Sequence, residues 1–556
     1  MKKRHWQASY GYIPREIDAD RYATVNVLLE LAMERFHAQP AFHGFWQTLT
    51  FSDVRQMSSD FAAYLQKVAG LKKGDRVAVM LPNVLAFPVA FIGIAQAGGV
   101  QVNVNPLYTA RELQHQLEDS GAELIVIHED ALPTLAEVVH TTGIRRVVIV
   151  TAGDLHGLEP TDLPTDRRLG TTITLPAAIA EGAHLGFDPV DIRGEDLLFL
   201  QYTGGTTGPS KGAALTHRNL VANIEQFRAF MPEALRDGQE VVVTAIPLYH
   251  IFALMVNFLS YFMAGAQNWL VENPRRMDAF IDVLKTARPT VFTGVNTLYA
   301  GLAAHPRMHE IDWSRLRLSM GGGAAVLKPT SERWEALTGC YILEGYGLSE
   351  TSPIVSANPL QMLRYTGTTG LPLPSTDVRL LDASGLDVEI GQPGEVCVRG
   401  PQVMRGYWRK PEANVAAFTG DGYFRTGDIG VFDDEGFLRI VDRKKDMVIV
   451  SGFNVYPNEV EAVAAEYPGV FECACVGVPD DRTGEAVMLM VVAAPGATPS
   501  VTPLLAHCRA RLAAYKVPRR IRFVDALPKS AVGKILRREL RLLAGSGSES
   551  NAVAQA

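Results

Sequence analysis

Short β-branched runs recur from Arg76 to about Tyr346 between stretches of helical period: 77–81, 124–127, 147–150, 197–200, 241–246 and 291–293. This alternation predicts stacked α/β layers with largely parallel sheets. From 370 to 441 the strands crowd together, separated by Gly/Pro/Asp turns such as 382–385 and 433–436, which predicts a small antiparallel β subdomain. The charged run 442–446 sits between two apolar strands and is expected to be a hinge. Before it lies an N-terminal domain of residues 1–441. After it, 457–466, 471–478, 487–492 and 501–512 mix helix and strand in a small mobile α+β domain, 447–544. The small polar tail 545–556 is predicted to be disordered. The longest apolar run, 251–266, contains Asn257 and falls short of the ~20 residues that span a bilayer, so a buried helix is expected.

A chain of 556 residues exceeds what one hydrophobic core organises, which supports the division into domains. With 47% apolar and 20% charged residues it belongs to the globular class. A net charge of −7 leaves no electrostatic footprint for nucleic acid. Five scattered cysteines do not make a disulfide framework. Cys473 and Cys475 alternate inside an apolar run and read as buried strand residues rather than metal ligands. No apolar segment of signal-peptide type follows the basic residues 1–4, so a cytoplasmic location is expected.

Four segments carry chemistry. The strand 197–200 leads into Tyr202, Thr203, Gly204, Gly205, Thr206, Thr207, Gly208, Pro209, Ser210, Lys211 and Gly212. Glycines admit close backbone approach, hydroxyls and N–H groups bind phosphate oxygens, and Lys211 adds positive charge. It reads as a polyphosphate loop, but Pro209 and Ser210 separate Gly208 from Lys211, so the P-loop NTPase pattern fails. The second segment holds Glu344, Gly345, Tyr346, Gly347, Ser349 and Glu350 after a strand at 341–343. Tyr346 offers a flat ring for a purine, Ser349 a hydroxyl for a phosphate, and Glu350 a hard oxygen for Mg2+. In the third, Thr426 to Asp428 closes a strand and Arg443 begins the interdomain run. A carboxylate and a guanidinium there suit the hydroxyls of a ribose. In the fourth, 528–537, Gly533 permits a tight turn that projects Lys534, a point charge suited to the reaction of a carboxylate with an α-phosphate. Taken singly, the last three are as readily solvated or capping residues.

In this order the four segments resemble the acyl-adenylate-forming ligases, a group of acyl-CoA synthetases, luciferases and peptide-synthetase adenylation domains. The phrases 247–252, 293–298 and 450–459 look most like the bacterial long-chain fatty acid CoA ligases. The resemblance implies a medium to long chain fatty acid activated by ATP as acyl-AMP and then transferred to coenzyme A. It places His250 beside the substrate carboxylate, Gly323 in a segment lining the acyl and adenine pockets, and Thr206 with Glu350 on Mg2+. Lys534 bridges the reacting oxygens, Lys445 is the pivot of the small domain, and Gly452 lines the pantetheine channel. A sibling acting on another acid or loading a carrier protein and a luciferase-like oxidase share the pattern, whereas an intact Lys534, Glu350 and Asp428 argue against a non-catalytic scaffold on this fold. The long-chain gate expected after the His reads Ile251, Phe252, Ala253, Leu254, without the Trp of some members. Dimers occur in the group, and a substrate that partitions into bilayers makes peripheral membrane contact an expectation.

Overall fold

A computed structural model describes residues 4–155, 166–203, 209–362, 364–530 and 532–545. The predicted tail beyond 545 and loop residues 204–208 lie outside them. All six β-branched runs become strands of two large sheets. A seven-stranded sheet runs edge to edge through Thr171–Thr174, Arg146–Val150, Leu124–His128, Arg76–Met80, Val100–Asn103, Leu197–Thr203 and Lys211–Thr216. Its neighbours are parallel except the last pair, an antiparallel hairpin. A nine-stranded sheet runs through Leu371–Pro372, Ile354–Ala357, Ile342–Gly347, Leu318–Gly321, Val291–Gly294, Val241–Thr244, Gln267–Leu270, Pro40–Gly44 and Gln47–Thr50. Its centre is parallel and its two ends antiparallel. Both faces of the parallel strands are covered, which is why they read as continuous apolar runs.

One apolar core joins the sheets. Helix Ala86–Gln96 is apolar all round and buried from Ala86 to Ala95, as expected of a helix enclosed on every side. Its Phe91 stacks on Phe199 of the first sheet at 5.3 Å and meets Phe258 edge-on at 5.4 Å. Phe258 lies in the run 251–266, which is buried and helical as predicted, but Ala253–Ser260 winds as a π-helix. The polar residue in that stretch accounts for its place. The Asn257 amide donates to Thr244 Oγ1 (3.0 Å) and accepts from Thr293 Oγ1 (2.9 Å), while its carbonyl accepts from Asn268 (2.9 Å). A single Asn thus ties the helix to three strands of the nine-stranded sheet, satisfying polar groups that burial would otherwise strand.

The β subdomain is an antiparallel sheet of Asp377–Leu381, Gly394–Arg399, Phe424–Phe432 and Leu438–Arg443. Its predicted turns are closed by N–H groups of Gly385 and Gly436 on the carbonyls of Asp382 (3.1 Å) and Asp433 (3.0 Å). Two expectations need correction. Residues 371–372 pair into the nine-stranded sheet, so the separate sheet begins at Asp377. The strand expected to close at Asp428 runs on to Phe432, because Gly427 takes a positive φ (72°) and a register shift at Ile429/Gly430 absorbs the irregularity without a turn.

The C-terminal part carries a five-stranded sheet of Phe453–Val455, Val448–Val450, Gly484–Ala493 and Val470–Asp480, with Arg520–Phe523 parallel to the third of these. Cys473 and Cys475 are buried and unpaired in one of its strands, packed with Cys508 in the core. Among the described residues, no three His, Cys, Asp or Glu are grouped so as to hold a metal, and no helix is long and apolar enough to cross a membrane.

Candidate active site

The predicted phosphate loop joins Leu197–Thr203 to Lys211–Thr216, with Thr203 paired to Lys211 at its base. It therefore links two antiparallel strands, whereas a P-loop runs from strand to helix. Gly204, Gly205, Thr206, Thr207 and Gly208 lie outside the described residues. Both stems are held from helix Ala110–Ser120: the Tyr202 hydroxyl donates to Asp119 (2.8 Å), and the His115 ring lies 2.9 Å from the Ser210 carbonyl. The Lys211 ammonium sits 5.1 Å above the Tyr407 ring.

The Tyr346 segment lies within the strand Ile342–Gly347, which extends past the predicted end at 343. A Cβ on Gly347 would lie 1.9 Å from the Pro353 carbonyl oxygen, so only glycine lets the chain double back so closely there. That reversal places Ser349 and Glu350 in the short turn Ser349–Thr351. Glu350 is buried. Its Oε1 accepts from the Tyr407 hydroxyl (2.8 Å), and its carbonyl accepts from Met404 N–H (2.7 Å). Burial raises its carboxyl, and the Tyr407 hydrogen bond is the largest opposing influence. The Tyr346 hydroxyl donates to Asp428 Oδ2 at 2.7 Å. Asp428 and Arg443 are cross-strand partners, with Nε 3.4 Å from Oδ1. Glu344 faces elsewhere: its buried carboxyl accepts from Val326 N–H (3.1 Å), and burial pushes it up to about 8.

Lys534 reaches this group from the C-terminal part. Lys529 and Ile535 form a bridge, and the turn between them is closed by Gly533 N–H on Ser530 O (3.0 Å) and Ser530 N–H on Lys534 O (2.7 Å). Gly533 has φ +81°, and a Cβ there would lie 2.8 Å from Thr297 Oγ1. Thr297 Oγ1 donates to the Gly533 carbonyl at 3.1 Å. The tight turn inferred from the sequence is thus also a contact surface. Lys534 Cε lies 3.3 Å from the position a Cβ would take on Gly323. Burial lowers the Lys534 ammonium to about 8, helped by the charge of Arg443 and opposed by Asp428 and Glu350. The ring of His250 is brought down to about 3 by burial and by Lys534, so it is neutral at physiological pH. Its Nδ1 accepts from Phe252 N–H (3.3 Å). The Phe252 ring lies 3.2 Å from where Gly322 would carry a Cβ.

One candidate stays apart from this cluster. Gly452 is exposed at the turn between Val448–Val450 and Phe453–Val455, with φ +83° and open space where a side chain would begin. Lys445 is exposed between the sheets on either side of it, but near enough to the cluster for its charge to act on Asp428 and for that of Arg443 to act on it. Three residues went unnoticed in the sequence: Tyr407, Asp119 and Thr297. Tyr407 follows Gly406, whose φ of +145° signals a special backbone site, and Thr297 lies inside the phrase 293–298. Mg2+ takes one or two carboxylates when a polyphosphate supplies its other oxygens, so one buried, hydrogen-bonded Glu350 suits it better than an all-protein metal cage would.

Lys534 from the C-terminal part thus stands near Asp428, Arg443 and Glu350 of the larger part. The chain belongs to the AMP-binding enzyme family: residues 29–408 match the AMP-binding enzyme model and 459–534 its C-terminal domain. It is 49% identical over 542 residues to a long-chain-fatty-acid–CoA ligase of Yersinia pestis, covering 95% of this chain and 96% of that protein. A ligase of the same name from Escherichia coli O157:H7 is 49% identical over 553 residues, covering 97% and 98%. Among solved structures, the anthranilate CoA ligase AuaEII in complex with anthranoyl-AMP superposes with a TM-score of 0.86 at 25% identity, covering 96% of this chain and all of that one.

Proposed function

We propose that this enzyme activates a medium to long chain fatty acid with ATP as acyl-AMP, releasing pyrophosphate, and transfers the acyl group to coenzyme A, giving acyl-CoA and AMP. The observation that carries the reading is the insertion of Lys534 against Gly323, within the electrostatic reach of Asp428, Arg443 and Glu350. Asp428 and Arg443 bind the ribose hydroxyls, and Tyr346, held by Asp428, lies against the purine. The stretch 202–211, with Lys211, holds the phosphates. Glu350 and Thr206 would hold Mg2+ with the nucleotide, where it neutralises phosphate charge. Lys534 stabilises the charge that builds as the carboxylate oxygen attacks the α-phosphorus and the bond to pyrophosphate breaks. A neutral His250 orients the carboxylate without adding a cation that would quench its nucleophilicity.

Two steps are needed because a carboxylate is a poor electrophile and AMP supplies a leaving group. For the second, the domain after the hinge 442–446 turns about Lys445, withdraws Lys534 and brings the Gly452 loop to the thiol channel. An enzyme acting on another carboxylic acid or loading a carrier protein is the alternative. AMP release across acids from acetate to oleate, with CoA present, separates them. Release of pyrophosphate from palmitate without thioester formation on CoA would overturn the coenzyme assignment. Peripheral membrane contact is supported by Phe45 (46% exposed) and Trp46 (76%), which form the turn of the edge hairpin. Flotation with anionic liposomes, weakened in Trp46→Ser, tests it.

A further inference from the structure

We propose that Asp442 is a docking post that holds the C-terminal domain in the orientation presenting Lys534, with Arg537 as that domain's grip on it; the inference rests on the two-step reading above. Asp442 lies one residue before Arg443 in the strand Leu438–Arg443 and is 1% exposed. Its Oδ1 accepts from Arg443 N–H (2.7 Å) and from Arg537 Nη1 (3.2 Å), and its Oδ2 from Asn458 N–H (2.8 Å). The Asn458 amide adds a bond to the Val441 carbonyl (3.0 Å). Arg537 Nη2 in turn donates to Asn458 Oδ1 (2.6 Å) and to both oxygens of Glu461 (2.8 and 2.9 Å). Both partners stand on helix Pro457–Ala465.

These contacts divide at Lys445. Arg537, Asn458 and Glu461 all follow it in the chain and move as one body. Asp442 and Val441 precede it. A turn about Lys445 leaves the Arg537–Glu461–Asn458 grip whole and parts it from Asp442 and Val441, so this half of the network exists in one orientation only. Arg537 stands three residues after Lys534, just beyond the Lys529–Ile535 bridge. The charge-assisted bond between Arg537 and Asp442 therefore fixes how far the Lys534 turn advances toward Gly323 and Thr297. Asp442 and Arg537 are positioning residues: Asp442 meets the cluster only at the backbone N–H of Arg443, Arg537 makes no bond to it, and both act through where Lys534 stands.

The test measures the half-reactions separately in Asp442→Ala and Asp442→Asn. Adenylation is followed as pyrophosphate release without CoA. Acyl transfer is followed from supplied acyl adenylate to CoA. The expected result is adenylation slowed at least tenfold in Asp442→Ala, less in Asp442→Asn, with acyl transfer within twofold of wild type in both. Slowing of both halves in proportion would mean a general folding defect and would overturn the inference, as would unchanged adenylation. If Asp442→Ala fails to fold, Asp442→Asn decides by the same split. Wild type that forms no adenylate from any fatty acid removes the two-step reading, and the post with it.

Discussion

The alkaline limb of adenylation should be set by Lys534. Its ammonium is desolvated between Gly323 and the Asp428–Arg443 pair, which lowers it from the ordinary lysine range to about 8. Charge stabilisation at the α-phosphate requires the protonated form. With that value, about nine-tenths of the enzyme is competent at pH 7, about half at pH 8 and about a tenth at pH 9, so adenylation falls roughly tenfold from pH 7 to 9. The pH profile of kcat/KM for pyrophosphate release, taken with MgATP below saturation and palmitate present, reads the lysine of the free enzyme. Acyl transfer from supplied acyl-AMP, for which the proposed cycle withdraws Lys534, should lack the loss. Lys534→Arg is the control: a guanidinium keeps its charge throughout the range, so its smaller rate should be level to pH 10. His250 cannot produce the limb, because its ring stays neutral above about 3. A limb that persists in Lys534→Arg, or adenylation that is flat to pH 10 in wild type, would refute the assignment.

Two further outcomes follow from single contacts. Tyr407→Phe removes the hydroxyl that holds Glu350 Oε1, a loss of about 1–2 kcal/mol that should raise the Mg2+ concentration for half-maximal pyrophosphate release by roughly tenfold. A magnesium titration checks it, and an unchanged midpoint refutes it. Glu344 is raised to about 8 in the fold by burial, so its protonated form adds stability at low pH that is lost as pH rises toward 8. Glu344→Gln keeps a neutral acceptor for Val326 N–H and lacks that slope. Its Tm relative to wild type should climb from pH 5 to 8 and then level, whereas a constant gap would show that the carboxyl is ionised throughout.

The parts of the molecule that could be read from the sequence are those decided within a few residues. Parallel strands buried on both faces announce themselves as apolar runs, and the turns at Asp382 and Asp433 need only an Asp and a Gly three residues apart. The same holds for Gly533, whose positive φ is a local demand. Contacts that close over long chain distances left no such trace. Tyr407 reaches Glu350 only because its segment pairs with the phosphate hairpin: Ala213 bridges Tyr407, and the N–H of Trp408 donates to the Gly212 carbonyl at 2.8 Å. Nothing near either residue requires that pairing. The strand end expected at Asp428 was misplaced for a related reason, since a Gly at positive φ reads as a turn until the partner strand, with Arg443 opposite, is known to continue the ladder.

Charge buried at a domain seam was the least legible of all. Asp442, in the run 438–446, looks like one more solvated carboxylate among Arg439, Arg443, Lys444 and Lys445, and in isolation that would be the sound reading. In the structure it is among the most buried acids, because the Arg that neutralises it comes from 95 residues further on. A carboxylate held this way is costly to keep unless its partner is present, and in the proposed two-step cycle that partner belongs to the domain that leaves for the second step. The same desolvation that makes the pair strong while docked makes its separation tolerable only if undocking returns both groups to water. Of the described acids at the hinge, Asp446 bonds to Arg541 of the same domain (2.8 Å), so in that proposed cycle Asp442 is the acid whose solvation changes as the domain turns. On that proposal the asymmetry, one acid carried along and one left behind, allows a single seam to be firm in the first half-reaction and open in the second.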